Sequence, residues 1–167
     1  MAEALETVTE SHKTADFPRA GLWRRLLALL YDSFLVAAIW MLLGFLIQLL
    51  LGVDSNQVVD GKVQTDSVRD YLLFVIMLGS SFTFYAYFWM QSGQTLGMIA
   101  WRLKVVNCNN ELLTIDQALK RYFLAWPAML LAGSGYLWLY FDTDSDALHD
   151  RLSGTKVVLV PRSQRPF

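Results

Sequence analysis

The sequence predicts an all-α membrane protein with two transmembrane helices, a re-entrant or third helical segment, and a small cytoplasmic β element. Three observations support this fold class. Hydrophobic residues make up 54% of the 167 residues and charged residues only 17%, against about a quarter in typical soluble domains. Two long apolar runs reach the length that a helix needs to cross a bilayer. Short β-rich segments lie outside those runs.

The ordered part of the chain is expected at residues 18–160. Residues 1–17 are polar and lack hydrophobic periodicity, which predicts a disordered tail, and residues 161–167 form a C-terminal tail. No cleavable signal peptide is expected, because acidic residues precede any apolar run. The single cysteine excludes an intramolecular disulfide, and the net charge of −1 gives no reason to expect a nucleic-acid partner.

Two apolar segments are predicted to be membrane-spanning helices. The first runs from Leu26 to Leu51, and its 26 residues would form about 39 Å of helix. Crossing the hydrocarbon core requires roughly 30 Å. The second runs from Tyr71 to Met90, with 20 residues and no formal charge. Both lengths fit spanning helices.

A third apolar stretch, from Tyr122 to Phe141, contains Pro127 and the cluster Gly133-Ser-Gly135. It is either one kinked spanning helix or a hairpin that turns back at the glycines. A hairpin would place 12 of the 14 basic residues on one side, whereas a span would divide them 8 to 6. The positive-inside rule favours the hairpin. The predicted location is a multi-pass protein of the bacterial cytoplasmic (inner) membrane, with both termini cytoplasmic and residues 53–69 external.

The β element is predicted from two segments that flank the third apolar stretch. Between Trp101 and Thr114, alternating residues precede a run of turn-forming asparagines, which is typical of a short strand hairpin. Residues 155–160 are also β-rich and end before Pro161. We expect this last strand to pair with the hairpin.

Asp32 is the most informative residue in the apolar segments. A carboxylate within a spanning helix costs some 2.5–3.5 kcal/mol on insertion scales, so it normally faces a partner or a water-filled cavity. Arg25 lies seven residues earlier on the same helical face, but helical side chains lean toward the N-terminus. Pairing within the helix would be strained, and we expect a partner from another element.

The second span carries a polar stripe on an otherwise apolar helix. Thr83 and Tyr87 are expected to bracket the membrane depth of Asp32. The alternative is that the hydroxyls satisfy carbonyls of their own helix or join helices together. The stripe comprises Ser80, Thr83, Tyr87, Gln91 and Gln94.

No metal site, cofactor or enzymatic activity is predicted. The aspartates of residues 142–146 resemble the start of a calcium loop, but an EF-hand needs glycine at its sixth position and glutamate at its twelfth. Those positions hold Ala147 and Ser153. His149 has only His12, in the tail, as another histidine, and no histidine is placed to activate a nucleophile.

Three motifs in order resemble the RDD family of small membrane proteins, named for one arginine and two aspartates. The motifs are Arg24-Arg25-Leu-Leu-Ala28-Leu-Leu-Tyr-Asp32, Gly93-Gln-Thr-Leu-Gly97, and Leu148-His149-Asp150-Arg151-Leu-Ser-Gly154-Thr155. The resemblance covers roughly residues 17–160. It implies that the family arginine is Arg25, with Arg24 as the alternative, and that the aspartates are Asp32 and Asp150. The family has only a loose association with transport.

These observations lead to two hypotheses about function. Both assume that Arg25, Asp32, Asp150 and Arg151 converge as a buried charge cluster near the cytoplasmic boundary. In one, an oligomer transports ions or protons through an intramembrane aspartate. In the other, the cluster is a latch in a structural or assembly partner of a larger membrane complex. The expected partners are the lipid bilayer and either further copies of the chain or another membrane protein.

Overall fold

The computed structural model describes residues 17–51, 57–59, 62–64, 67–130 and 146–161. Most of these residues are helical, and the predicted tails lie outside this part of the chain apart from Phe17 and Pro161. In chain order the elements are α1 (Leu22–Leu51), β1 (Gln57–Val59), β2 (Lys62–Gln64), α2 (Ser67–Gln91), α3 (Leu96–Ala100), β3 (Leu103–Asn107), α4 (Ile115–Leu130), α5 (Leu148–Leu152) and β4 (Thr155–Leu159).

Helices α1 and α2 have the length and composition of membrane-spanning helices. Helix α1 begins four residues before the predicted start and ends at the predicted Leu51, while α2 extends its predicted segment at both ends. In their most apolar windows only 6% and 17% of the residues are buried, whereas a core helix of a soluble protein would be mostly buried. Their exposed apolar side chains, such as Phe34 and Met41, form a surface that suits lipid better than water.

The chain divides into two compact units, one comprising residues 33–84 and the other residues 1–32 and 85–167. In the unit of residues 33–84, the indole nitrogen of Trp40 donates to Ser81 Oγ and to the Met77 carbonyl, both at 3.0 Å. These bonds connect α1 to α2. Strands β1 and β2 pair antiparallel, with Val58 opposite Val63. These strands differ from the prediction of an external loop at residues 53–69.

The unit of residues 1–32 and 85–167 contains a two-stranded antiparallel sheet of β3 and β4, with Val105 opposite Val157. The predicted hairpin within residues 101–114 is therefore wrong, because β3 pairs along its length with β4. Only its last residue bonds across the following turn, from the Asn107 amide to the Glu111 carbonyl at 2.9 Å. The Asn107 side chain also closes that turn by accepting from the amides of Asn109 and Glu111, at 2.8 and 2.9 Å. The predicted pairing of the last strand with the first is confirmed.

The sheet forms the core of this unit. Leu103, Val105 and Val157 are at most 1% exposed. The chain before α1 adds to the sheet on the other edge of β4, where the Ala20 amide donates to the Val157 carbonyl at 3.1 Å and Arg19 forms a bridge with Val158. The sheet thus fixes the start of α1 next to the last strand of the chain.

Helix α4 contains the first part of the third apolar stretch and includes Pro127. It begins at a reciprocal cap, in which the Gln117 amide donates to Thr114 Oγ1 at 3.4 Å and the Thr114 amide donates to Gln117 Oε1 at 3.2 Å. The glycine cluster of residues 133–135 lies outside the described residues. The residues that would decide between a re-entrant hairpin and a third span also lie outside the described ranges.

Candidate functional site: a buried arginine–aspartate cluster

The Asp150 carboxylate is the centre of a buried charge cluster. Asp150 lies in the single turn of α5 and has no exposed surface. One carboxylate oxygen pairs with Arg25 Nη1 and the other with Arg121 Nη1. Arg25 comes from the start of α1 and Arg121 from α4, and both are nearly completely buried. One carboxylate therefore joins three elements that are remote in sequence.

Neighbouring polar groups hold the two arginines in place. Arg25 Nε donates to the Ala20 carbonyl at 2.9 Å, while Arg121 Nη1 also donates to Thr155 Oγ1 at 2.8 Å. The Arg121 guanidinium stacks over Trp89, with 5.2 Å between Cζ and the ring centroid. Such a cation–π contact is favourable in a desolvated setting. The cluster thus extends to the end of α2 and the start of β4.

The two arginines also determine the charge state of the cluster. Burial alone would raise the pKa of Asp150, but the charges of Arg121 and Arg25 outweigh it and hold that pKa well below its usual range. Burial lowers the pKa of the adjacent His149 to about 4, and the attraction of Asp150 only partly opposes this. At neutral pH the cluster therefore contains an ionised aspartate beside a neutral histidine.

Asp32 binds a different set of partners. Thr95 Oγ1 donates to one of its carboxylate oxygens, and the Gly97 amide donates to the other at 2.8 Å. Thr95 is also the N-cap of α3, where its hydroxyl accepts from the Met98 amide. A Cβ at position 97 would collide with the Ala28 carbonyl and lie 2.9 Å from Asp32 Oδ1. A glycine is needed for this close approach of α3 to α1.

The arginine and the two aspartates lie within the region that matches a known family. The family model described as the RDD family matches residues 19–154. The chain belongs to the RDD family. No curated protein and no solved structure matches it. RDD membership together with the exposed apolar helices α1 and α2 indicates a membrane protein.

The cluster predicted for this RDD protein needs correction. Arg25 and Asp150 do meet, but Asp32 is bound by Thr95 and Gly97, and Arg151 is exposed. The reason is geometric, because neighbouring residues on a helical turn point about 100° apart. When Asp150 faces the interior, Arg151 cannot share that direction. Arg121 occupies the place that the sequence analysis gave to Arg151.

Arg121, Thr95 and Gly97 are the site residues that the sequence analysis missed. Arg121 had a detectable signal, since it lies three residues after the buried Ala118 and therefore on the same face of α4. Thr95 and Gly97 belong to the second RDD motif. That motif entered only through the family resemblance, which assigned no role to its residues as donors to a carboxylate.

At two positions of the polar stripe, the hydroxyl satisfies a carbonyl of its own helix, which is the alternative given in the sequence analysis. Ser80 Oγ donates to the Met77 carbonyl and Thr83 Oγ1 to the Gly79 carbonyl, each at 2.8 Å, so both hydroxyls bond within their own helix. Tyr87 is 60% exposed, and Gln91 is exposed as well. Thr83 and Tyr87 were expected to bracket the depth of Asp32, but the hydrogen-bond donors to its carboxylate come from residues 95–97.

Gln94, the last residue of the stripe, has a structural role. Its side-chain amide donates to the Leu103 carbonyl at 2.6 Å, which holds the turn after α2 against the start of β3. Most of the aspartate run at residues 142–146 lies outside the described residues. Its last member, Asp146, pairs with Arg19 at 3.1 Å. Across the described ranges, no group of three or more His, Cys, Asp and Glu side chains could hold a metal ion.

Proposed function

We propose that this RDD protein is a structural or assembly component of a membrane complex, in which Asp150 latches the C-terminal segment to the first apolar helix. The observation that carries the proposal is the completely buried Asp150 carboxylate, shared by Arg25 and Arg121. Each arginine comes from a different helix. The arrangement suits a tether better than a site that must release its charge.

The energetics of a buried ion pair favour this role. Removing one member leaves the others buried and unpaired, which costs about 3–5 kcal/mol. Helix α5 has five residues, too few to be stable without tertiary contacts. The Asp150 pairs supply such contacts to α1 and α4. Strand β4 begins three residues after α5 ends, so the latch also holds the strand that completes the sheet.

The proposed setting is the bacterial inner membrane, with both termini in the cytoplasm and with no enzymatic activity. The distribution of arginine and lysine along the chain supports this orientation. The short chain would bury its remaining polar groups against further copies of itself or against another membrane protein. We infer that the unit containing the latch presents a fixed surface to such a partner.

Amide hydrogen exchange in residues 148–159, the segment that the latch would hold, tests this proposal. The full chain in mild detergent is compared with Asp150→Asn and with the control Asp116→Asn, which neutralises an exposed carboxylate on α4. A loss of about 3–5 kcal/mol should speed exchange in residues 148–159 by at least about 100-fold. Asp116→Asn should leave that segment unchanged. Equal exchange in both variants would exclude the latch.

A second candidate function, ion or proton transport, is favoured by Asp32. This carboxylate lies within the long apolar helix α1 and is 2% exposed, and ionisable groups in such places often mark ion pathways. The two candidate spans of the described residues provide few walls for a pathway, so transport would require an oligomer. Because both carboxylate oxygens already accept hydrogen bonds, we place this function second.

Flux measurements with one variant separate the two functions. Parent protein and Asp32→Asn are reconstituted in vesicles, and proton and sodium flux are measured beside the thermal stability of each. Asparagine keeps the shape of aspartate but cannot ionise. A flux in the parent that Asp32→Asn abolishes without loss of folding would support transport. A parent without flux, paired with a destabilised variant, would leave Asp32 as a structural residue.

A further inference from the structure

A small pocket beside the start of α1 has the composition of an anion site. It is lined by Arg24, Ala100, Trp101 and Arg102, and its volume is about 230 Å³. That is below the range of about 300–1,000 Å³ for drug-sized ligands, so a small charged group suits it better. None of the residues that line the pocket belongs to the Asp150 cluster.

The two arginines of the pocket differ from the other arginines nearby. Arg19 pairs with Asp146, and both Arg25 and Arg121 pair with Asp150. Among the residues that the structure describes, no carboxylate pairs with Arg24 or Arg102. A guanidinium forms two parallel hydrogen bonds with a phosphate, and two such groups in one pocket make a strong oxyanion site.

The backbone at Arg102 is fixed by its place at the end of α3, directly after the C-cap Trp101. Its φ of 58° lies in the left-handed region, which residues other than glycine rarely adopt. Hydrogen bonds on both sides hold it there, from the Val160 amide to the Arg102 carbonyl at 2.8 Å and from the Arg102 amide to the Ile99 carbonyl at 3.2 Å. A left-handed residue commonly ends a helix, and here it holds the Arg102 side chain at the pocket.

The surroundings of the pocket indicate the source of the anion. Arg24 lies in the first turn of α1, just before its long apolar run. Its neighbour Trp23 is 73% exposed. Trp101, in the pocket itself, is 38% exposed. Exposed tryptophans at the end of an apolar helix are typical of the membrane–water interface, where lipid phosphates lie. We propose that this pocket binds the phosphate of an anionic phospholipid headgroup.

Native mass spectrometry of the full chain in mild detergent tests this site. The probes are phosphatidylglycerol, zwitterionic phosphatidylcholine and inorganic phosphate. Arg24→Gln combined with Arg102→Asn removes both charges, and asparagine tolerates the left-handed backbone. If each arginine contributes about 1 kcal/mol near an anionic lipid, phosphatidylglycerol should bind the double variant roughly 30-fold more weakly. The control Lys120→Gln, an exposed cation on α4, should change binding less than twofold.

Three results would overturn the proposal. Equal phosphatidylglycerol binding by the parent and the double variant would exclude the pocket. Equal binding of phosphatidylglycerol and phosphatidylcholine would exclude selection of an anionic lipid. Arginine-dependent binding of inorganic phosphate at the affinity of phosphatidylglycerol would point to a free anion and not a lipid.

A measurement on the parent protein keeps the test independent of how the variant folds. Phenylglyoxal modifies accessible arginines, and peptide mapping reads the extent at each one. Phosphatidylglycerol should slow modification of Arg24 and Arg102 at least about tenfold but leave the exposed Arg151 unaffected. Equal rates with and without phosphatidylglycerol at Arg24 and Arg102 would overturn the site.

Discussion

Gly97 occupies a position where a side chain has no room. A Cβ there would collide with the Ala28 carbonyl and crowd Asp32. We predict that Gly97→Ala lowers the free energy of unfolding by about 1–3 kcal/mol, the usual cost of overpacking. The matched control is Gly79→Ala, where a Cβ meets nothing within 4 Å. Thermal unfolding in mild detergent measures both, and equal melting temperatures would contradict the close approach of α3 to α1.

His149 makes stability depend on pH. Burial lowers its pKa to about 4, whereas the unfolded chain keeps a value near 6.5. Between these values the unfolded state binds more protons, so stability falls as the pH falls from about 6.5 to 4. We predict a loss of roughly 2 kcal/mol between pH 7 and pH 5.

His149→Gln provides the comparison for this pH dependence. The variant removes the titrating group, so its unfolding free energy should change much less over the same pH range. Below about pH 4 both proteins should lose stability further, because the lowered pKa of Asp150 stabilises the fold only while the unfolded carboxyl is ionised. Parallel pH curves from pH 7 to 5 would contradict a neutral, buried His149.

At the residue scale, motifs identified the charged groups but not their pairing. Arg25 and Asp150 stand in two RDD motifs, and they meet in the cluster. Asp32 stands in the same motif as Arg25, yet its donors are Thr95 and Gly97. Sequence spacing determines the direction of a side chain along one helix, but it does not determine which other element packs there. That depends on tertiary contacts between distant segments.

At the element scale, the long helices could be predicted and the sheet only in part. Apolar length alone indicated α1 and α2, because a spanning helix needs about 20 consecutive apolar residues. The strand at residues 155–159 was recognised from composition. Its pairing with the segment that contains β3, some 50 residues earlier, was expected as well. The second strand of the hairpin predicted within residues 101–114 did not form, because local alternation does not determine which segment a strand pairs with.

The short strands β1 and β2 show a different limit of sequence patterns. Each has three residues, which is too few for alternation to be detected. The dipeptide Asp60-Gly61 between them in the sequence is a frequent hairpin turn and could have indicated the pair. The start of α4 was likewise available from the sequence, since Thr114 and Gln117 have the spacing of a capping box.

At the scale of the whole molecule, the proposed orientation can be tested by thiol labelling. Single cysteines replace Asn56 or Gln164 in a Cys108→Ser background, because the native cysteine is exposed. With both termini cytoplasmic, a membrane-impermeant reagent should label position 56 in intact cells and leave position 164 unlabelled until the cells are opened. Labelling of position 164 from outside would exclude the re-entrant hairpin.

The most direct test of the latch is the thermal stability of Asp150→Asn. The substitution leaves Arg25 and Arg121 buried without their shared carboxylate, so we predict a loss of about 3–5 kcal/mol in the free energy of unfolding. Asp116→Asn, which neutralises an exposed carboxylate in the first turn of α4, should change it by less than about 1 kcal/mol. Similar stability of the two variants would contradict the account of Asp150 as the residue that holds this part of the molecule together.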